Sequence, residues 1–169
     1  MEKGYIQIYT GHGKGKTTAA LGDGLKVLMI QFLKSVHSSE LESVKAFGDS
    51  FEIGRLAVQG KFFWQLNEEE KKDFKEQLQR ELHQIDEALL GGRWDMIILD
   101  EIFGALGNGM ISADQLDKIL EMKPQHLELV LTGRGAPAEF IEKADLVTEM
   151  KQIKHYYEKG IGSRKGIEF

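Results

Sequence analysis

The sequence contains no cysteine, which excludes disulfides and thiolate-held metal centres together. No apolar run reaches the roughly 20 residues that a membrane-spanning helix needs. The opening residues, MEKGYIQIYT, lack the build of a secretory signal, so the expected location is the cytoplasm. Positive charge is not in excess: 22 Lys and Arg against 27 Asp and Glu give a net charge of −5, which argues against nucleic acid as the main partner. A small anionic ligand is still admissible, because it needs only a local cluster of donors. Internal repeats, low-complexity tracts and linkers rich in Pro, Gly or Ser are also missing. The expectation is therefore one domain over residues 1–169. What is present is an ordinary globular composition, 41% hydrophobic and 29% charged, long enough to bury a real core.

Several short apolar runs read as strands. YIQIYT (5–10) is β-branched and aromatic and ends at glycine, while LKVLMIQF (25–32), DMIILD (95–100) and LELVLT (127–132) are nearly continuous apolar runs. Runs of that kind suit strands covered on both faces. LVTEM (146–150) is a shorter candidate. Helices with identifiable starts lie between them. Asn67 with Glu70 predicts a cap, followed by one stripe of Phe74, Leu78, Leu82, Ile85 and Leu89 that ends at Gly91 and Gly92. Ser112 with Gln115 repeats that logic ahead of Leu116, Ile119 and Leu120, and Pro137 suits the first turn of a helix through Phe140 and Ile141. Strands alternating with helices predict a three-layer α/β domain with a mainly parallel sheet and helices on both faces.

The stretch TGHGKGKTTAALGDG (10–24) follows the first strand. Gly15, Lys16 and Thr17 supply the second half of the phosphate-loop pattern G-x-x-x-x-G-K-[ST], with Thr10 at the place of its first glycine. Gly11, Gly13 and Gly15 still let the backbone turn tightly and aim successive N–H groups inward, at the positive end of the following helix. Lys14 and Lys16 add cationic donors, the Thr17 hydroxyl is placed to ligate magnesium, and Thr18 is placed to contact a phosphate. His12 reads as a loop residue donating a hydrogen bond, since the five histidines show no ligand spacing.

RWDMIILDEIFGAL carries a second signal, an apolar strand ending in Asp100 and Glu101. In a parallel sheet, both this pair and the phosphate loop emerge at the carboxyl ends of strands. One of the two carboxylates would hold magnesium, which prefers few carboxylates together with phosphate oxygens. The third such strand ends in LTGRGAP, where Gly133 and Gly135 free the backbone around Arg134. That guanidinium is either a bidentate phosphate contact or an ordinary turn residue.

At this point the residues resemble a family. TGHGKGKTTAA, VLMIQFLK, GKFFWQL, IILDEI, VLTGRGAP, ADLVTEM, KHYYEKGI and RKGIEF follow in the order of the P-loop ATP:corrinoid adenosyltransferases of cobalamin biosynthesis and salvage, over nearly the whole chain. That family also carries threonine at the first glycine position. His12 in place of a more usual asparagine and Ser35 after FLK are departures from its pattern. The resemblance implies a P-loop NTPase fold of RecA-like type. It also implies transfer of the 5′-deoxyadenosyl group of ATP to the cobalt of a reduced Co(I) corrinoid, with release of triphosphate. The corrinoid would be cobalamin, cobinamide or cobyrinic acid diamide. Lys16, Thr17, the loop amides and Mg²⁺ would neutralise the leaving group, with Glu101 as the magnesium ligand and Asp100 as its companion. Phe62 and Trp64, a Phe-x-Trp pair, would pack beneath the ring and displace the lower cobalt ligand; without the resemblance they read as core aromatics. An electron-donating flavoprotein and a homodimer belong to the same implication. The tail KQIKHYYEKGIGSRKGIEF either closes over nucleotide or ring or is a solvated terminal segment.

Two other classes stay open on the residues alone. A motor-like or regulatory NTPase would use Glu101 to activate water for γ-phosphate hydrolysis. A corrinoid carrier or nucleotide-sensing module would bind without forming an adenosyl product. One local expectation concerns length. Thr17 to Gly22 allows only about 9 Å of helix, against roughly 20 Å of return path for a six-residue strand. The sequence therefore predicts that about ten residues of helix are absent between Gly22 and Gly24.

Overall fold

The computed structural model describes residues 3–20, 26–33, 45–57 and 63–162, with 45–47, 64 and 157 described by backbone alone. Its frame is a six-stranded sheet in which every recorded pairing is parallel. The strands are β1 (Ile6–Thr10), β2 (Val27–Gln31), β3 (Phe51–Arg55), β4 (Met96–Asp100), β5 (Glu128–Thr132) and β6 (Leu146–Glu149), in spatial order β3-β2-β4-β5-β1-β6. Helix α1 (Lys16–Ala20) follows β1, α2 (Glu68–Glu81) and α3 (His83–Leu90) precede β4, α4 (Ile102–Gly107) and α5 (Ala113–Met122) follow it, and α6 (Ala138–Lys143) follows β5.

Alternation along the central strands divides the core in two. Ile97 and Leu99 of β4 join Ile8, Ile30, Leu129 and Leu131 on one face, under Phe74, Leu78, Ile85, Leu89, Ile102, Leu116 and Phe140 from α2 to α6. Met96 and Ile98 point the other way, into a smaller cluster with Val27, Met29, Phe51, Val130 and Ala20 of α1. The described residues thus form an α/β fold with helices on both faces. Every residue of β4 and β5 is buried, which explains why their sequences are almost continuously apolar. Burying one such aliphatic side chain contributes about 1.5–3 kcal/mol.

Both capping boxes form as the spacing predicts. Asn67 accepts the Glu70 N–H at 2.9 Å while the Glu70 carboxylate accepts the Asn67 N–H at 2.9 Å, and Ser112 and Gln115 exchange the same pair of bonds. The single helix expected after Asn67 is divided at Leu82, where the Ile85 N–H turns to the carbonyl only three residues back. Pro137 stands one residue earlier than expected, as the N-cap of α6. Strand β3 and helix α4 were not anticipated. FEIGR is short, half polar and interrupted by Gly54, yet Phe51 and Ile53 keep the period of two and pack on the smaller cluster. The expectation of missing helix falls on residues 21–25 and lies outside the described residues. No helix among the described residues is long and apolar enough to cross a membrane.

Candidate functional site

The last residues of five adjacent strands are all polar: Arg55, Gln31, Asp100, Thr132 and Thr10. They form one row along the carboxyl edge of the sheet, the edge at which ligands of open parallel sheets bind. Asp100 is its centre and is fully buried. Its Oδ1 accepts the Thr17 hydroxyl at 2.8 Å and the Thr132 hydroxyl at 2.7 Å, while Gln31 Nε2 stands 3.5 Å from Oδ2. Gln31 Oε1 in turn accepts from Arg55 Nε at 3.0 Å.

The glycine loop connects β1 to α1, with Gly11 and Gly15 at φ 98 and 111, values open to glycine. Its back packs on the end of β6. Gly13 N–H donates to Met150 O at 2.5 Å, and Met150 N–H donates to Thr10 O at 2.8 Å. A Cβ on Gly11 or Gly13 would lie 2.7 or 2.5 Å from that Met150 carbonyl, so these glycines serve a close approach as well as a turn. Thr10 completes β1 opposite Glu149, and its hydroxyl accepts the Ala136 N–H at 3.2 Å. A glycine there would lose this tie to the loop after β5, which is the physical use of threonine at that position.

Lys16 is 7% exposed, and its Nζ donates to the carbonyls of Gly11 at 2.9 Å and Gly13 at 3.0 Å. Burial pushes the ammonium below the usual lysine value. Glu101 opposes the shift, Arg134 adds to it and Asp100 opposes it. That Arg134 acts on Lys16 electrostatically brings the LTGRGAP arginine to the loop. The two cations flank a cavity of about 300 Å³ lined by His12, Gly13, Lys14, Gly15, Lys16, Thr17, Glu101, Arg134, Gln152 and His155. A second cavity of about 510 Å³ adjoins it, walled by Gly13, Lys14 and residues 149–156.

Glu101 enters this cavity from an unusual backbone, φ 62 and ψ 26, the left-handed region that costs a residue bearing a Cβ. Its N–H donates to Thr132 Oγ1 at 3.0 Å. Gly133, next in sequence at φ 146, lets the β5 loop close on α4: a Cβ there would meet Phe103 Cβ at 2.8 Å.

Of the residues singled out by sequence, the structure thus gathers His12, Gly13, Lys14, Gly15, Lys16, Thr17, Glu101 and Arg134 around one cavity. Thr10, Gly11 and Asp100 stand directly behind it. Thr18 is exposed on α1 and does not line it. Phe62 lies outside the described residues. Trp64 is described by its backbone alone, in the 3₁₀ turn Phe63–Gln65, where its neighbour Phe63 packs on Phe74 at 5.6 Å between ring centroids. Sequence reasoning missed Thr132, Gln31 and Arg55. Of the three, only Thr132 closes an apolar run as Asp100 does; Gln31 lies inside LKVLMIQF, and FEIGR, which ends at Arg55, is half polar. Gln152 and His155, from the tail, also wall the cavity.

The donor set fits a magnesium ion. Thr17 Oγ1, Asp100 and Glu101 offer hard oxygen atoms, two of them already within hydrogen-bond distance of one another. Among the described residues no cluster of three or more His, Cys, Asp or Glu could hold a metal by protein ligands alone. Few carboxylates plus ligand phosphates is the environment Mg²⁺ prefers.

Comparison with known proteins places the chain. The family described as ATP:corrinoid adenosyltransferase BtuR/CobO/CobP matches residues 2–169. A corrinoid adenosyltransferase of Sinorhizobium sp is 36% identical, with 99% of this chain aligned to 81% of the relative. A corrinoid adenosyltransferase of Pseudomonas aeruginosa is 32% identical over 99% of this chain and 85% of its own length. One from Escherichia coli K12 is 29% identical over 99% and 87%. Sequence order, parallel fold and loop geometry agree with that match, and the chain belongs to the ATP:corrinoid adenosyltransferase family, a family of enzymes.

Proposed function

We propose that this chain, as one nucleotide-binding domain, transfers the 5′-deoxyadenosyl group of ATP to the cobalt of a reduced corrinoid. The observation that carries the reading is the cavity between the glycine loop and Glu101, where Lys14, Lys16 and Arg134 converge on a space suited to a polyphosphate. A Co(I) corrinoid is already a strong nucleophile, so the reaction asks for no general base. The cobalt electron pair forms the bond to C5′, the C5′–O bond breaks, and its electrons leave with triphosphate. The protein's work is to hold C5′ in line with the metal of the substrate and to stabilise the departing charge.

Lys16 would exchange its two loop carbonyls for phosphate oxygens, and the loop N–H groups would take the rest of the chain of phosphates. Arg134 is assigned a phosphate contact. Thr17 and Glu101, with Asp100 behind Thr17, would hold Mg²⁺, which supplies charge neutralisation to the leaving group. Asp100 is better suited to orienting Thr17 than to direct ligation, because its Oδ1 already accepts two hydroxyls. Phe62 and Trp64, by the family resemblance, are assigned to the underside of the corrinoid. There they would remove the lower cobalt ligand and make Co(II) easier to reduce. An electron-donating flavoprotein, a homodimer and a cytoplasmic location complete the proposal.

The test is formation of the adenosyl–cobalt bond. Purified protein, ATP, Mg²⁺ and chemically generated Co(I) corrinoid should yield the light-sensitive absorbance spectrum of an adenosylcorrinoid. Tight corrinoid binding without that product would favour a carrier and overturn the reading.

A further inference from the structure

We propose that Thr132 is a positioning residue of this site, whose single hydroxyl sets the geometry of both Asp100 and Glu101 and thereby the preference for metal-complexed over metal-free ATP. The inference rests on the nucleotide site proposed above. Thr132 ends β5, the strand inserted between the loop-bearing β1 and the carboxylate-bearing β4, and it is fully buried. It does not line the cavity, so it acts only through its neighbours.

The direction of its bonds follows from chemistry. An amide N–H can only donate and an ionised carboxylate can only accept, so the hydroxyl must accept from Glu101 N–H at 3.0 Å and donate to Asp100 Oδ1 at 2.7 Å. Each bond has a separate consequence. The first holds the N–H of a residue in left-handed backbone, φ 62, and so fixes where the Glu101 carboxylate leaves the chain. The second fixes the plane of the Asp100 carboxylate, whose same oxygen accepts the Thr17 hydroxyl at 2.8 Å. One oxygen atom therefore connects the backbone of one proposed metal ligand to the side-chain partner of the other. Close packing of Gly133 on Phe103 keeps β5 and the start of α4 in the register this needs. Oxygen partners behind metal ligands commonly carry about 10–100-fold in metal affinity or activity.

Calorimetry with ATP plus Mg²⁺, and with ATP plus a chelator, reads the metal preference directly. Thr132→Val, nearly the same shape without the hydroxyl, should lower the ratio of the two affinities about tenfold. Thr132→Ser, which keeps the hydroxyl, should stay within about threefold of the parent ratio. A Val variant with the parent ratio would overturn the inference. So would a Ser variant as impaired as Val, which would make methyl packing the cause, or a parent protein with no metal preference at all. Should thermal melting show that the Val variant does not fold, Thr132→Ala removes the same hydroxyl and carries the test. A parent that forms no adenosylcorrinoid, yet shows the metal preference and its loss in Val, would overturn the proposed function and leave this inference standing. Adenosyl transfer with an unaffected Val ratio would do the reverse.

Discussion

Lys16 and Lys123 stand at opposite ends of the same sheet and share most of what usually singles a lysine out. Burial pushes both ammonium groups below the ordinary lysine value, and both donate to backbone carbonyls. Lys123, just after α5, reaches Gly4 O at 2.9 Å, Pro124 O at 3.2 Å and Leu127 O at 2.7 Å. Those three acceptors match its three N–H groups and pin the starts of β1 and β5 together. Lys16 reaches two carbonyls of its own loop and lines a cavity that it shares with Arg134 and Glu101. A desolvated lysine therefore marks a site only where a cavity and other charges converge on it. At the amino edge the same physics closes the structure, whereas at the carboxyl edge it leaves a charge ready to change partners.

The strongest way to break that contrast is to remove each ammonium. Lys16→Ala should weaken ATP binding roughly 100-fold and lower adenosyl transfer by about 10²–10³. Its melting temperature should stay within about 2 °C of the parent. Calorimetry and thermal melting read the two quantities separately. Lys123→Ala should do the opposite, with turnover within about twofold and stability lower by about 2–3 kcal/mol, or roughly 4–10 °C in melting temperature. A Lys123 variant that melts like the parent and fails in turnover would show that the amino edge is functional too.

A pH series sharpens the comparison. In the proposed site only a protonated Lys16 would bind phosphate, and burial holds its ammonium below the ordinary 10.5. As pH rises, affinity for ATP should therefore drop to half its plateau below pH 10.5, as the ammonium loses its proton. A half-loss at or above that pH would contradict the desolvation of Lys16. The smallest effect is expected at Thr10. Thr10→Gly restores the strict loop pattern but loses the Ala136 bond and stiffens β1 less, so stability should drop by about 1–2 kcal/mol. ATP affinity should change less than about threefold, because the Thr10 hydroxyl faces the β5 loop and not the cavity.

Legibility in the sequence followed the same divide between local and long-range causes. The glycine loop, the capping boxes at Asn67 and Ser112 and the buried β4 and β5 are local signals, and each is where the pattern puts it. Asp100 and Glu101 were readable as the end of an apolar run. Thr132 was not, because its role depends on β5 lying between β4 and β1, a matter of strand order that no local window contains. Arg55 and Gln31 were hidden for the same reason: they meet only through the β2–β3 register that pairs them. Strand β3 was missed because an edge strand covered mainly on one side carries too few apolar residues to stand out. The cavity wall formed by Gln152 and His155 was visible only as a tail of undecided role.

In the proposed reaction the carboxyl edge directs an ATP triphosphate away from C5′ and does not hydrolyse its end. Phosphorus NMR of a reaction with Co(I) corrinoid, ATP and Mg²⁺ measures this directly. One triphosphate should appear per adenosylcorrinoid formed, with no phosphorus product when corrinoid is omitted. Orthophosphate released at the same rate with or without corrinoid would contradict it.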